Sequence, residues 1–287
     1  MSTYPSSAQQ VDQSISIRPL QSIDEFHACE TLQYRVWAMS DDLEVVPLHL
    51  MLPVQRNGGL LLGAFDGGDL VGFLFGFPAY DTEGRPKHCS HMMGVDSRYQ
   101  GTGIGYRLKL AQREFVLDQG LDLVTWTYDP LESRNAYLNI HKLGAVCRTY
   151  LRDYYGSLAD GLNAGMPSDR FQVEWWIESE QLGRRLSGQI SEWTSDSVLQ
   201  VIATGHTSGG FLTPGLLTLD ADPPVLQVEI PANYQAIRAA EPALALEWRL
   251  TLRQVFEACF AAGYTVVDFV SHQAKSDRRS FYVLRAD

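Results

Sequence analysis

The residues best suited to chemistry lie in one run, Lys87–Leu110, "KHCSHMMGVDSRYQGTGIGYRLKL". A strand that ends in Gly101-Thr102-Gly103-Ile104-Gly105 and passes straight into a helix turns several unpaired backbone N–H groups toward one point. The helix dipole adds about 0.3–1 kcal/mol per favourable anion contact there. Such a turn suits a phosphate. Its spacing, G-x-G-x-G, departs from the G-x-G-x-x-G dinucleotide fingerprint, and no Lys-Ser/Thr pair follows it as a P-loop requires. Just upstream, His88 and His91 offer imidazoles that can accept a proton near neutral pH. In an alternating strand Cys89, His91, Met93 and Val95 share one face, while His88, Ser90 and Met92 share the other. His91 is therefore the first candidate for a general base, about 13 Å along the strand from Val95 at roughly 3.3 Å per residue, and His88 is the second. Ordinary structural histidines are the competing explanation. A zinc site from His88, Cys89 and His91 is not expected, because adjacent strand positions face opposite ways and no fourth ligand has matching spacing.

The elements that must hold this run are legible around it. Ser22 followed by Glu25 is a capping box ahead of "IDEFHACETLQYRVW", and a short strand, Ile15 to Leu20, precedes it. A second helical segment is expected over Pro47 to Arg56. Two apolar runs flank Asp66-Gly67-Gly68-Asp69, which predicts a hairpin, and Lys87 to Val95 is the next strand. Ile104, Leu108, Ala111, Phe115 and Val116 recur at helical spacing up to a stop at Gly120. "LDLVTWTYD", "SRNAYLNIHKLG" and "AVCRTYLRDYYG" follow as strand, helix and strand, giving the order β-α-α-β-β-β-α-β-α-β over residues 15–156. Residues 157–170, rich in Gly, Ser, Asn, Asp and Pro, read as a connection. Residues 171–287 then form a smaller α/β unit: "FQVEWWI", a polar helix, an ambiguous stretch from Ser191 to Asp222, and a β-α-β-β tail. The tail is "VLQVEIP", a helix around Ala243 to Ala262, "YTVVDFV" and "SFYVLR". The β-helix-β grammar occurs in both halves without a clean sequence repeat.

Composition bounds the partners. Lys and Arg number 23 against 34 Asp and Glu, a net charge of −11 with no basic cluster, which argues against nucleic acid and anionic membranes as partners. The four cysteines are widely spaced and read as reduced thiols of a cytoplasmic protein. The first 14 residues lack the basic and apolar regions of an export signal, and no apolar run reaches transmembrane length. A soluble intracellular protein is expected.

The stretch "VDSRYQGTGIGYRL" resembles motif A of the GNAT superfamily of N-acyltransferases, V-x-x-x-x-[QR]-x-x-G-x-[GA], with Val95, Gln100, Gly103 and Gly105 in register. The element order over residues 15–156 is similar too. The resemblance implies a mixed, mostly antiparallel sheet flanked by helices, and an acyl-CoA domain over residues 15–156. It implies that the amides from Gly101 through Thr102, Gly103 and Ile104 to Gly105 cradle the pyrophosphate, beside Gln100. Met93 to Val95 would pair with the pantetheine arm, and an exposed Val95 amide would stabilise the oxyanion. Asn135, in the turn that opens the helix after the fifth strand, is an implied cofactor contact. Many family members carry on that helix a tyrosine that protonates the leaving thiolate; read back from Gly144, that position is Ile140. The acceptor would enter near Arg35, Trp37 and the following "SDDLE", where Arg35 could hold a carboxylate.

The chain looks similar to a branch with an added C-terminal α/β unit, which implies acylation of a small amine or amino acid with acetyl-CoA or a succinyl donor, no metal, and a possible homodimer. A non-catalytic acyl-CoA sensor or interaction module is the alternative.

Overall fold

The computed structural model describes residues 15–39, 44–156, 165–189, 193, 198–218, 223–274 and 277–286. Most of "SDDLE" (residues 40–43) and of the 157–170 connection (157–164) lies outside them. The described residues fall into two compact units, one up to Trp126 and one from Thr127 onward.

In the first unit β1 (Ile15–Pro19), β2 (Leu60–Asp66), β3 (Asp69–Tyr80), β4 (Pro86–Val95) and the start of β5 (Leu123–Tyr128) lie in that order. The first four pair antiparallel, and β5 joins β4 in parallel. Helix α1 (Ile23–Trp37) starts on the expected capping box, with Ser22 and Glu25 each holding the other's backbone N–H. Together with α2 (Leu48–Arg56) it covers one sheet face, burying Phe26, Leu32, Met51, Phe73 and Phe75. Helix α3 (Ile104–Asp118) covers the opposite face with Ile104 and Leu108 against Leu62, Ala64, Val71 and Leu74. Each fully buried side chain of this kind contributes about 1.5–3 kcal/mol.

The second unit carries α4 (Ser133–Ala136), continued as a π-helix over Tyr137–Lys142, then β6 (Val146–Leu151), β7 (Arg170–Trp176) and α5 (Glu180–Leu186). From the stretch left ambiguous by sequence come β8 (Val198–Gln200), β9 (Ile202–His206) and β10 (Leu212–Leu217). The tail follows as β11 (Val225–Ile230), α6 (Tyr234–Ala240), α7 (Pro242–Ala261), β12 (Tyr264–Ala274) and β13 (Asp277–Ala286). Here the strand order is β7-β6-β12-β13-β11-β8, with β9 and β10 forming a separate ribbon. The fold is the expected mixed α/β type with a mostly antiparallel sheet and extra C-terminal strands.

Backbone geometry exposes a repetition that residue types conceal. Helix α4 with its π extension, and helix α7, are each followed by a positive-φ glycine, Gly144 (67°) and Gly263 (85°). Three residues later Cys147 and Val266 pair with each other, joining β6 to β12 antiparallel. At the next residue each strand slips register against its hairpin partner, at Arg148 on β6 and Val267 on β12. Two helix-strand-strand blocks thus meet back to back. Charged groups bind them: Asp129 with Arg249, Asp169 with Arg253, Arg152 with Glu257, and Asp268 with Arg185.

Asp268 is fully buried. Burial alone would raise its carboxyl, but hydrogen bonds from His141, Arg185 and Trp193 outweigh it and hold the group below the usual aspartate range. A carboxyl depressed on folding contributes stability that is present above about pH 4 and lost as pH falls through the lower folded value. We therefore expect Asp268→Asn to flatten the acid-side dependence of the urea midpoint. An unchanged slope below pH 4 would remove Asp268 as its source.

Candidate active site

Strand β4 departs from simple alternation. Gly76 of β3 faces Ser90 and Phe75 faces Met92, so His91 is an extra residue bulged from the ladder. The slip rearranges the faces predicted for this strand. His88 and Ser90 turn toward α3, where they meet Phe115 and Lys109. His91 turns toward the α1/α2 side, its ring between Phe75 and Phe77. Beyond the bulge Met93 and Val95 pack toward α3, so His91 and Val95 lie on opposite faces rather than on one.

The two histidines differ accordingly. His88 is fully buried and neither ring nitrogen has a hydrogen-bond partner among the described residues. Burial, with the nearby Lys109 charge, pulls its pKa down to about 4. His91 is solvent-exposed at its edge, and desolvation against its phenyl neighbours lowers its pKa from the ordinary imidazole value.

The parallel β4–β5 ladder holds at His88–Val124 and Cys89–Thr125 and goes no further. On the other edge Asp96 donates its backbone N–H to Val71 at 2.9 Å. Antiparallel pairs alternate in their bonding, so Val95 and Met93 turn their N–H and C=O groups away from β3, toward the edge that β5 has left. The Val95 carbonyl accepts the Gln100 side-chain amide there at 3.5 Å. Met93 and Val95 thus offer an open strand edge.

After Val95 a single turn of 3-10 helix (Ser97–Tyr99) is capped by Asp96, which accepts from the Arg98 backbone at 3.1 Å. Gly101 (φ 82°) and Gly103 (φ 91°) take left-handed conformations, and Gly103 caps α3. A Cβ on either glycine would meet nothing within 4 Å, so the turn presents bare backbone to solvent. The turn's own hydrogen bonds use the amides of Gln100 and Thr102 and leave those of Gly101, Gly103, Ile104 and Gly105. Thr102 points its hydroxyl back to the Tyr99 carbonyl. A pyrophosphate fits this arrangement, and an extended pantetheine fits the open edge that leads from it.

Arg35 and Trp37, at the end of α1, come to this end of β4. Arg35 is half-exposed and reaches Asp96 at 3.3 Å. Trp37 packs edge-on against Phe73, and a Cβ at Gly94 would meet it at 3.3 Å. In the second unit Asn135 is exposed and Ile140 fully buried. Tyr137 stacks on His141 with ring centres 4.8 Å apart, and His141 is held by Asp268.

Residues missing from the sequence reading are Lys109 and Ser90. Lys109 is 2% exposed, and donates to Ser90 Oγ at 2.8 Å and Gln112 Oε1 at 3.2 Å. Its ammonium lies 3.6 Å from the Trp126 ring centre. The available signal is a stripe: Lys109, Gln112 and Val116 recur at helical spacing beside the apolar face, and all three are buried.

Residues 22–144 match the acetyltransferase (GNAT) family model. No curated protein matches the chain significantly. Among solved structures it is similar to the ribosomal-protein-S18-alanine N-acetyltransferase of Escherichia coli, at 15% identity over 57% of this chain and 95% of that one, with a TM-score of 0.44. The yncA protein of Salmonella typhimurium, with its cofactor acetyl-CoA, is 15% identical over 58% and 95%, TM-score 0.46. An aminoglycoside acetyltransferase from an uncultured soil metagenomic sample is 19% identical over 44% and 84%, TM-score 0.39.

Proposed function

We propose that the protein transfers an acyl group, acetyl or succinyl, from coenzyme A to the amine of a small molecule or amino acid. The observation that carries this reading is the continuity of two sets of backbone groups, the amides that the turn leaves at Gly101, Gly103, Ile104 and Gly105 and the edge of Met93 and Val95 that β5 has left. Gly101, Gly103, Ile104 and Gly105 would hold the pyrophosphate, and Val95 the pantetheine amides. Bound there, the donor supplies an activated thioester carbonyl. Met93 lies farther from the phosphate turn than Val95 and nearer the bulge, so its amide is the better placed to receive negative charge on that carbonyl.

His91 is the base, because it is exposed while His88 is enclosed. Its lowered pKa keeps it neutral at pH 7, ready to take the ammonium proton of the acceptor. Arg35, half-exposed one strand end away, suits an acceptor carboxylate. Release of free CoA thiol, measured with acetyl and succinyl donors against amines and amino acids, tests the reading. Binding without turnover for every pair would replace it by the sensor alternative, which the buried aliphatic Ile140 favours.

The base makes its own prediction. The rate at low acceptor should fall on the acid side of the ordinary imidazole range as His91, its pKa lowered by desolvation, takes up a proton. In His91→Ala we expect that limb to vanish, with a loss of about 10²–10⁴-fold. An unaltered profile would exclude His91.

A further inference from the structure

Resting on the acyl-transfer reading, we propose that Lys109 is the positioning residue of the donor slot: its ammonium bridges Ser90 and Trp126 where β4 and β5 part, and holds the bulge at His91 in working geometry.

The placement is specific. The last pair of the β4–β5 ladder is Cys89–Thr125, so Ser90 and Trp126 would be the next pair if the strands continued together. Lys109 joins those two residues instead, by a hydrogen bond to one and a cation–π contact to the other. Ser90 directly precedes the bulged His91, and Lys109 stands on the helix whose N-terminal turn forms the phosphate cradle. One side chain therefore couples three parts of the site: phosphate turn, strand fork and base. A buried ammonium is costly, and this one meets neutral partners. Facing it are Ser90, His88 and the Cys89 thiol on β4, Gln112 on its own helix and Trp126 on β5. Gly76 of β3 closes the cluster: a Cβ there would fall 2.3 Å from His88 Nε2 and 3.1 Å from Gln112 Nε2. A methionine or leucine would fill the same space at less cost if packing were all that the position required.

The charge is also within titration range. Burial pulls the Lys109 pKa down to about 7, with a smaller opposing effect from Cys89. The contact with the Trp126 ring needs the protonated form, so that end of the bridge is lost with the charge and kcat should decline above about pH 7.

The test is kcat, KM for acetyl-CoA and the alkaline pH profile of wild type, Lys109→Met, Lys109→Arg and Ser90→Ala, with circular dichroism as the folding control. We expect Lys109→Met to lower kcat about tenfold to a hundredfold with KM for acetyl-CoA within about threefold, and to lose the alkaline decline. Lys109→Arg keeps its charge and should recover part of kcat without the decline. Ser90→Ala, a mild change that tests the bridge if Lys109→Met does not fold, should lower kcat and retain the decline. Wild-type kcat and an intact alkaline decline in Lys109→Met, or wild-type kcat in Ser90→Ala, would overturn the assignment. So would loss of acetyl-CoA binding in folded variants of both, since the pair would then serve affinity. Absence of turnover in the wild type itself would instead fell the acyl-transfer reading on which this one depends.

Discussion

Gly103→Asp should weaken acetyl-CoA binding by at least about a hundredfold while the protein stays folded, because like charges set against each other cost several kcal/mol and about 2.7 kcal/mol is a hundredfold in affinity. The fold tolerates the change for two reasons. Nothing lies within 4 Å of a Cβ built on Gly103, and aspartate is among the few non-glycine residues that enter left-handed backbone. What it adds is a carboxylate at the mouth of α3, beside the amides proposed to hold a dianionic pyrophosphate. Gly103→Asn separates charge from bulk: it keeps the shape and removes the charge, so it should lose far less. Calorimetric titration with acetyl-CoA measures both. An affinity for Gly103→Asp within about threefold of wild type would place the phosphate elsewhere.

The second large effect concerns stability. Arg249 is 2% exposed and grips Asp129 with two nitrogens, at 2.8 and 2.5 Å. Asp129 also accepts from the Leu131 amide at 2.9 Å, and Arg170 stands 3.9 Å away. Arg249→Met leaves a buried carboxylate that those contacts satisfy in part, and removing one partner of such a pair typically costs about 3–5 kcal/mol. For a unit of this size that is a fall in Tm of about 10 °C. Asp129→Asn combined with Arg249→Met should recover much of the loss, since the stranded charge is gone. Urea unfolding of the single and double variants checks this. A single-variant loss below about 1 kcal/mol would show the pair to be dispensable.

Much of the first unit was legible because its signals are local. The capping box at Ser22, the hairpin at Asp66–Asp69 and the stop at Gly120 each rest on a few neighbouring residues. The glycine turn is of the same kind, for Gly101 and Gly103 take the positive φ that their residue type permits. What local pattern could not show was the bulge at His91. A strand's period of two carries no mark of an inserted residue, so His91 and Val95 were expected on one face and lie on two. Lys109 escaped for a related reason: a lysine on a helix reads as solvent-facing until the strands beneath it are known to part. In the second unit the strands at 198–217 are short and their hydrophobicity is uneven, and the first turns before α7 form a separate helix, α6. The back-to-back blocks went unseen because they share glycine, pairing and bulge positions rather than residue types.

The junction of Cys147 with Val266 has a consequence for synthesis. The inner edge of β6 waits for a strand encoded about 120 residues downstream, which at a ribosomal rate of 5–20 residues per second is a delay of roughly 6–24 s. Through that interval the first block carries an open strand edge, the kind of surface that recruits stray strands. Closure comes from the β12–β13 hairpin, so in the nascent chain β6 loses its exposed edge only when the residues of β12 emerge.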